Sequence, residues 1–158
     1  MSEVYPEALS IEQAHPSRRL DDAQLRRTIR HVLTAEGATL VHLSVVLAGH
    51  EMVRRLNREY LDHDYNTDVL SFSLRDGSTP ESPDADDDGI EGEVYVDLDT
   101  AAERHEEFET SFEREAHRYL IHGVLHLVGY DDATESGQVT MRQKEDQYLD
   151  AVDLRADP

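Results

Sequence analysis

Two histidines stand four residues apart, at His122 and His126, in the stretch S-F-E-R-E-A-H-R-Y-L-I-H-G-V-L-H-L-V-G-Y-D-D. On a helix, side chains at this spacing project from one face with Cβ atoms about 6 Å apart, so two imidazoles can bind one metal ion. Gly129 follows, then Asp132. Because glycine readily adopts a helix-ending left-handed conformation, the chain can turn back there and bring Asp132 to the histidines. The spacing predicts a three-ligand metal site that keeps an open position, as catalytic zinc sites do.

The segment that contains the histidines is predicted to be a buried helix. Thr110 and Glu113 have the spacing of a capping box at its start. Apolar residues then surround the histidines on nearly all sides, which is typical of a buried helix. The alternative interpretation is two core histidines with ordinary hydrogen-bond partners, because a buried polar group needs a partner.

Gly123 follows His122 directly. A zinc protease of the H-E-x-x-H type has a glutamate at that position, where it acts as the general base. The glycine therefore disfavours peptide hydrolysis. A metal held by His122, His126 and Asp132, with water in the fourth position, suits phosphodiester cleavage, because it activates water and stabilises charge on a phosphoryl oxygen.

The stretch H-G-V-L-H-L-V-G-Y-D-D closely resembles the H-G-x-L-H-L-x-G-Y-D-H signature of the YbeY family of zinc-dependent endoribonucleases. A second block, Leu56-Asn57 through T-D-V-L-S-F at 67–72, resembles the other hallmark of that family. A third, G-E-V-Y-V at 92–96, is similar to its G-D-I-x-I strand. The resemblance covers roughly residues 38–150. It implies a zincin-like α+β fold and one catalytic metal ion.

The resemblance also implies a function. We expect a single-strand-specific endoribonuclease that acts in 3′-end processing of small-subunit rRNA and in ribosome maturation or quality control. Its implied cofactor is one Zn²⁺ ion, and its implied partners are single-stranded rRNA, the small ribosomal subunit and assembly factors. Two alternatives stay open: a metal hydrolase of another substrate, such as a small phosphoester or a peptide, and a non-catalytic ribosome-assembly factor with a structural metal.

The chain departs from the family pattern at two positions. Asp132 stands where the third ligand is usually histidine, so the net charge of the site falls from +2 to +1. The metal should then be a weaker Lewis acid, and harder divalent ions should compete better with zinc. Leu61 stands where many members have an arginine. If that arginine binds the scissile phosphate, the phosphate-binding residue of this chain is unassigned.

The residue pattern predicts one α+β domain over residues 1–158, with a mixed sheet of about four strands packed against helices and the metal site at the C-terminal end of a buried helix. Strands are expected near 9–11, 39–47, 68–74 and 92–97. Helices are expected from Asp21 or Asp22 to Gly37, after Gly49, over 99–108 and over 134–152, the last with Val139, Met141 and Leu149 in the core. Residues 76–91, rich in Asp, Pro and Gly, are expected to be a flexible acidic loop.

Several further residues are candidates for the site. Arg118 lies four residues before His122 on the same helical face, and Asp68 at the start of a strand is a carboxylate that could act as a general base. Asp131 is expected either to orient a histidine or to cap the next helix. The family resemblance places the loop and strand that follow the helix after Gly49 near the metal cleft, so the arginines of that helix are candidates for RNA contact, although a solvated helix face is the commoner role of such residues: Arg54, Arg55 and Arg58.

The composition limits the class of protein. The chain has no cysteine, which excludes disulfides and thiolate metal sites. It shows no transmembrane run and no secretory signal pattern, so we expect a cytoplasmic protein without a membrane partner. The formal net charge is −20, although RNA-binding surfaces are normally basic. Residues 76–158 contribute most of this charge, with 6 basic and 24 acidic residues.

The acidic, lysine-poor composition favours a halophilic source, because hydrated carboxylates keep a protein soluble in concentrated salt. We predict that the free energy of unfolding rises between low and molar KCl, as measured by denaturant titration at each salt concentration. Stability that stays flat or falls would contradict the hypothesis. The same salt would screen repulsion from RNA, since the Debye length is about 3 Å at 1 M.

Overall fold

The computed structural model describes residues 8–61, 67–74 and 89–152. Nine elements follow one another in the chain: β1 (Leu9–Gln13), α1 (Asp22–Glu36), β2 (Thr39–Ala48), α2 (His50–Leu61), β3 (Val69–Ser73), β4 (Gly89–Asp97), α3 (Leu98–Arg104), α4 (Phe112–Val128) and α5 (Glu135–Ala151). None of the described helices is both long and apolar enough to cross a membrane.

The four strands form one mixed sheet in the order β1-β2-β4-β3. Strands β1, β2 and β4 are parallel, and β3 pairs antiparallel with β4 at the edge. Each parallel connection contains a helix, as such crossovers require. The predicted α+β fold with a mixed sheet of about four strands is confirmed.

The main core lies on one face of the sheet, against α1, α4 and α5. Residues of β2 alternate between the two faces: Val45 belongs to the main core, whereas Val46 faces α2 on the other side. This two-residue period is what a strand buried on both faces requires. The smaller cluster on the second face includes Val53 of α2 and Leu70 of β3.

Helix α4 begins one residue later than the sequence predicts. Its N-cap is Ser111, whose Oγ accepts a hydrogen bond of 3.0 Å from the Arg114 backbone N–H. Arg114 therefore occupies the third helical position, and the predicted capping box between Thr110 and Glu113 is wrong. The prediction that α4 is buried is confirmed, because its middle residues lie in the main core.

Other element boundaries also differ from expectation. Strand β4 begins at Gly89, so the last residues of the predicted acidic loop are part of the sheet, and the remaining loop positions lie outside the described residues. Helix α3 ends at Arg104 rather than near residue 108. In α5, Met141 and Leu149 are buried as predicted, but Val139 is 55% exposed because it faces away from α4.

Gly123 allows α4 to approach the sheet closely. A Cβ atom built at this position would lie 2.8 Å from Val94 Cγ1 and 3.1 Å from Val69 Cγ2. Both valines belong to strands under the helix, and a β-branched side chain has few alternative rotamers. Any side chain at position 123 would therefore push helix α4 away from the sheet, and the larger side chain of glutamate would do so more than that of alanine.

We predict that Gly123→Ala lowers the free energy of unfolding by about 1 kcal/mol, because an overpacking cost of roughly 1–3 kcal/mol exceeds the helix-propensity gain of about 0.5–1 kcal/mol. Denaturant titration measures the change. The control is Gly37→Asn: Gly37 has φ 69°, which asparagine tolerates, and an added Cβ meets nothing within 4 Å. A Gly123→Ala variant at least as stable as wild type would contradict the packing argument.

Candidate metal centre

The C-terminal half of α4 and the turn after it bring three potential ligand atoms together. His122 Nε2 lies 3.1 Å from His126 Nε2 and 3.3 Å from Asp132 Oδ2, and His126 Nε2 lies 3.6 Å from Asp132 Oδ1. Ligand bonds of roughly 2.0–2.1 Å in a tetrahedral site place neighbouring ligand atoms about 3.3 Å apart. The observed separations fit one ion held by all three side chains.

The turn that presents Asp132 is formed at Gly129. This residue has φ 128°, a region that favours glycine, and its N–H is directed at the carbonyl oxygens of Leu125 and His126. The chain reverses there as predicted from the sequence. After the turn, Gln138 Nε2 of α5 donates a hydrogen bond of 3.1 Å to the Asp132 carbonyl oxygen. Two helices therefore fix the position of the third ligand.

Glu145 of α5 orients the first histidine. His122 Nδ1–H donates to Glu145 Oε2 over 2.7 Å, which leaves Nε2 directed toward the other ligands. Such carboxylate–histidine pairs select the tautomer and strengthen a metal ligand. Our sequence reasoning missed this residue. The available signal was its spacing: Met141, Glu145 and Leu149 lie on one buried helical face, and a carboxylate among core residues needs a partner.

The charges around His122 favour its protonated form in the metal-free site. Burial lowers the pKa of His122, but the hydrogen bond and charge of Glu145, with Asp68 and Asp132, outweigh it and raise the pKa above its ordinary value. Since metal ions bind the neutral imidazole, a proton competes with the metal at Nε2. Metal affinity at this site should therefore increase with pH.

A cleft of about 540 Å³ opens beside the metal ligands. It contains charged residues of both signs and a few apolar ones, and its described lining consists of Asp68, Arg104, Phe108, Glu109, Thr110, Arg114, Glu115, Arg118, Tyr119, His122, Asp132, Gln138, Met141, Arg142, Glu145 and Asp146. Both His122 and Asp132 line this space, so a substrate in the cleft would lie next to an ion held by these residues.

Arg118 and Asp68, which the sequence offers as further candidates for the site, also lie in this cleft. Arg118 forms ion pairs with Glu145 at 3.1 Å and with Asp146 at 2.7 Å. Its guanidinium therefore holds the carboxylate that orients His122. Burial raises the pKa of Asp68, and the charge of His122 offsets only part of that rise. Its raised pKa makes this carboxyl group a better proton acceptor than an ordinary aspartate, which keeps it a candidate for proton transfer.

The remaining candidates lie elsewhere. The Asp131 carboxylate accepts a hydrogen bond of 3.0 Å from the Ala133 N–H, so it stabilises the turn before α5. Among the described residues, the carboxylate that orients His122 is that of Glu145 and not that of Asp131. The predicted RNA-contacting arginines of α2 are exposed, but α2 covers the opposite face of the sheet from α4. The structure thus does not bring Arg54, Arg55 and Arg58 together with the metal ligands, and the Leu61 side chain lies outside the described part of the chain.

A second group of potential ligands, His50, Asp97 and Asp99, lies at the start of α2 and α3, and its members already have hydrogen-bond partners within the protein. His50 lies 2.8 Å from Asp97 and 2.9 Å from Glu103, one contact for each ring nitrogen. Asp99 accepts from His15, Arg18 and the His50 backbone, and these donors lower its pKa to about 2 against the opposing effect of burial. These hydrogen bonds give the cluster a structural role, because they connect the first residues of α2 and α3 to the end of strand β4.

Comparison with known proteins gives consistent results. The Endoribonuclease YbeY family profile matches residues 10–153. The chain is 68% identical over 152 residues to the Endoribonuclease YbeY of Salinibacter ruber, covering 96% of each protein. It is 41% identical over 142 residues to that of Chlorobium phaeovibrioides, covering 89% of each. The solution structure of a Thermotoga maritima protein matches with a TM-score of 0.60 and 26% identity, covering 91% of this chain and 88% of that one.

These matches extend well beyond the histidine motif, since they include the sheet and the helices on both of its faces. The resemblance inferred from three short sequence blocks is therefore confirmed along nearly the whole chain. The chain belongs to the Endoribonuclease YbeY family.

Proposed function

We propose that the protein is a metal-dependent endoribonuclease that cleaves single-stranded RNA during 3′-end processing of small-subunit rRNA. Its relatives are named endoribonucleases. The observation that carries the proposal is the convergence of His122, His126 and Asp132 beside a cleft that opens to solvent. In the described residues this group supplies three ligands, which supports a catalytic site more than a closed structural one.

His122, His126 and Asp132 would hold the ion, and two of them, His122 and Asp132, line the cleft. A divalent ion bound there supplies Lewis acidity for the phosphoryl group and lowers the pKa of water. Glu145 and Arg118 keep His122 in the tautomer that presents Nε2. We assign proton transfer to Asp68, which lines the same cleft. Either water or the 2′-hydroxyl of the RNA can be the nucleophile in this arrangement.

We propose Zn²⁺ as the resident ion. Two imidazole nitrogens and one carboxylate oxygen are a ligand set that catalytic zinc sites use. The carboxylate also favours harder divalent ions more than a third imidazole would. Metal analysis of the purified protein, together with the His122→Ala and Asp132→Ala variants, identifies the ion and its ligands; recovery of a full metal complement in these variants would rule out the assigned site.

The partners proposed from the resemblance are rRNA, the small ribosomal subunit and its assembly factors, and the proposed location is the cytoplasm. Co-sedimentation of the protein with small-subunit precursors tests the ribosomal partner. Free protein at all salt concentrations, with none in the ribosomal fractions, would argue for a nuclease that acts on other RNA.

We predict that Glu145→Gln weakens metal affinity roughly 10–100-fold, because a neutral amide does not raise the basicity of the His122 imidazole as a carboxylate does. Competition with a fluorescent chelator measures the affinity, and it should rise with pH in the wild type. Glu135→Gln is the control, since Glu135 is an exposed residue at the start of the same helix. Unchanged affinity in Glu145→Gln would contradict the orienting role.

We predict that wild-type protein cleaves a fluorescent single-stranded RNA and that His126→Ala abolishes cleavage. The assay is run over a range of KCl concentrations. Asp68→Asn should retain metal but lose most of the rate, since it cannot accept a proton. Absence of cleavage by the metal-loaded wild type, or equal cleavage by His126→Ala, would refute the nuclease function; full activity of Asp68→Asn would remove only the general-base assignment.

A further inference from the structure

The cleft beside the three candidate ligands contains most of the basic residues of the acidic half of the chain, together with six carboxylates. Residues 76–158 contain 6 basic residues against 24 acidic ones. Four of these basic residues line this one cleft: Arg104, Arg114, Arg118 and Arg142. An even distribution over the surface would not collect them there, and the natural ligand of clustered guanidinium groups is a phosphate or a carboxylate.

Three of these arginines already have partners. Arg118 pairs with Glu145 and Asp146, and Arg114 lies 3.1 Å from Asp150. Arg104 lies 3.8 Å from Glu107, with its guanidinium 5.1 Å from the Phe108 ring centroid. Arg142 differs: it is exposed, and it has no ion pair within residues 8–61, 67–74 and 89–152. It is therefore the cleft cation whose charge is available to a ligand.

Arg142 lies on the face of α5 that contacts the candidate ligands, and it lines the same cleft as His122 and Asp132. Gln138, four residues earlier, donates to the Asp132 carbonyl oxygen, and Glu145, three residues later, accepts from His122. Side chains at these spacings lie above one another on one helical face. Arg142 thus stands between two residues that each touch a metal ligand. Exposed arginines are usually only solvated, but the contacts of Gln138 and Glu145 fix the face of α5 on which Arg142 lies.

We propose that Arg142 binds the phosphate of the RNA that lies next to the metal site. This inference rests on the proposed nuclease function and names the residue that positions its substrate. A guanidinium presents a rigid fork of donors that matches two phosphate oxygens. From this position it would hold the phosphodiester against the metal side of the cleft, where the surrounding carboxylates would otherwise repel it.

Arg142→Gln and Arg142→Lys test the proposal, with Arg30→Gln as the matched control. Arg30 is also an exposed arginine on a helix, but it lies on α1 outside the cleft lining. We expect Arg142→Gln to lower kcat/KM for single-stranded RNA roughly 10–100-fold, as loss of a charged hydrogen bond does. Lysine should restore part of the loss, because it keeps the charge without the fork. Metal content should match wild type in all three variants.

A binding measurement separates this inference from the proposed function. Anisotropy of a short fluorescent 2′-O-methyl RNA is recorded with metal-loaded protein at several salt concentrations. Removal of one phosphate contact should reduce the slope of log affinity against log salt by about 0.7 for Arg142→Gln and leave it unchanged for Arg30→Gln. A wild-type slope and affinity in Arg142→Gln would overturn the assignment even if RNA is cleaved. A reduced slope without cleavage by wild type would support Arg142 and refute the nuclease function.

Discussion

The structure depends on the close packing of helix α4 against the sheet at Gly123. Without a side chain there, the helix lies directly on Val69 and Val94, and its neighbouring histidine is held at a fixed distance from β3 and β4. Metal ligands must be placed to within a few tenths of an ångström, so they benefit from a helix that cannot shift. The glycine that excludes a protease-type general base is thus also the residue that makes the helix position well defined.

The second constraint is electrostatic. Helix α5 contributes none of the three candidate ligands, yet it contacts two of them: Gln138 bonds to the Asp132 backbone and Glu145 bonds to His122. Arg118 of α4 then pairs with Glu145, so the carboxylate is not left as an unpaired buried charge. Helix α5 therefore fixes the geometry of a site whose atoms belong to α4 and the turn after it.

The charge distribution reconciles an acidic protein with an RNA substrate. A net charge of −20 repels nucleic acid as a whole, but this repulsion acts over the Debye length and weakens in salt. A bound divalent ion and nearby guanidinium groups act at contact distance, where screening is small. Most of the cleft arginines are paired with carboxylates, so the attraction available to RNA there comes from the ion and from the guanidinium of Arg142.

The sequence by itself determined the fold class, most elements and the three converging ligands, because these follow from local periodicity, helical spacing and one helix-ending glycine. Only the tertiary structure decided the contacts of Glu145 and Arg118 and the position of Arg142 in the cleft, since these depend on which face of α5 meets α4. It also showed that the α2 arginines lie on the opposite face of the sheet from α4. The sequence could not reveal this, because exposed charge does not indicate which face of a sheet a helix covers. Contacts between elements far apart in the chain leave no local pattern, whereas ligands on one helix and its turn do.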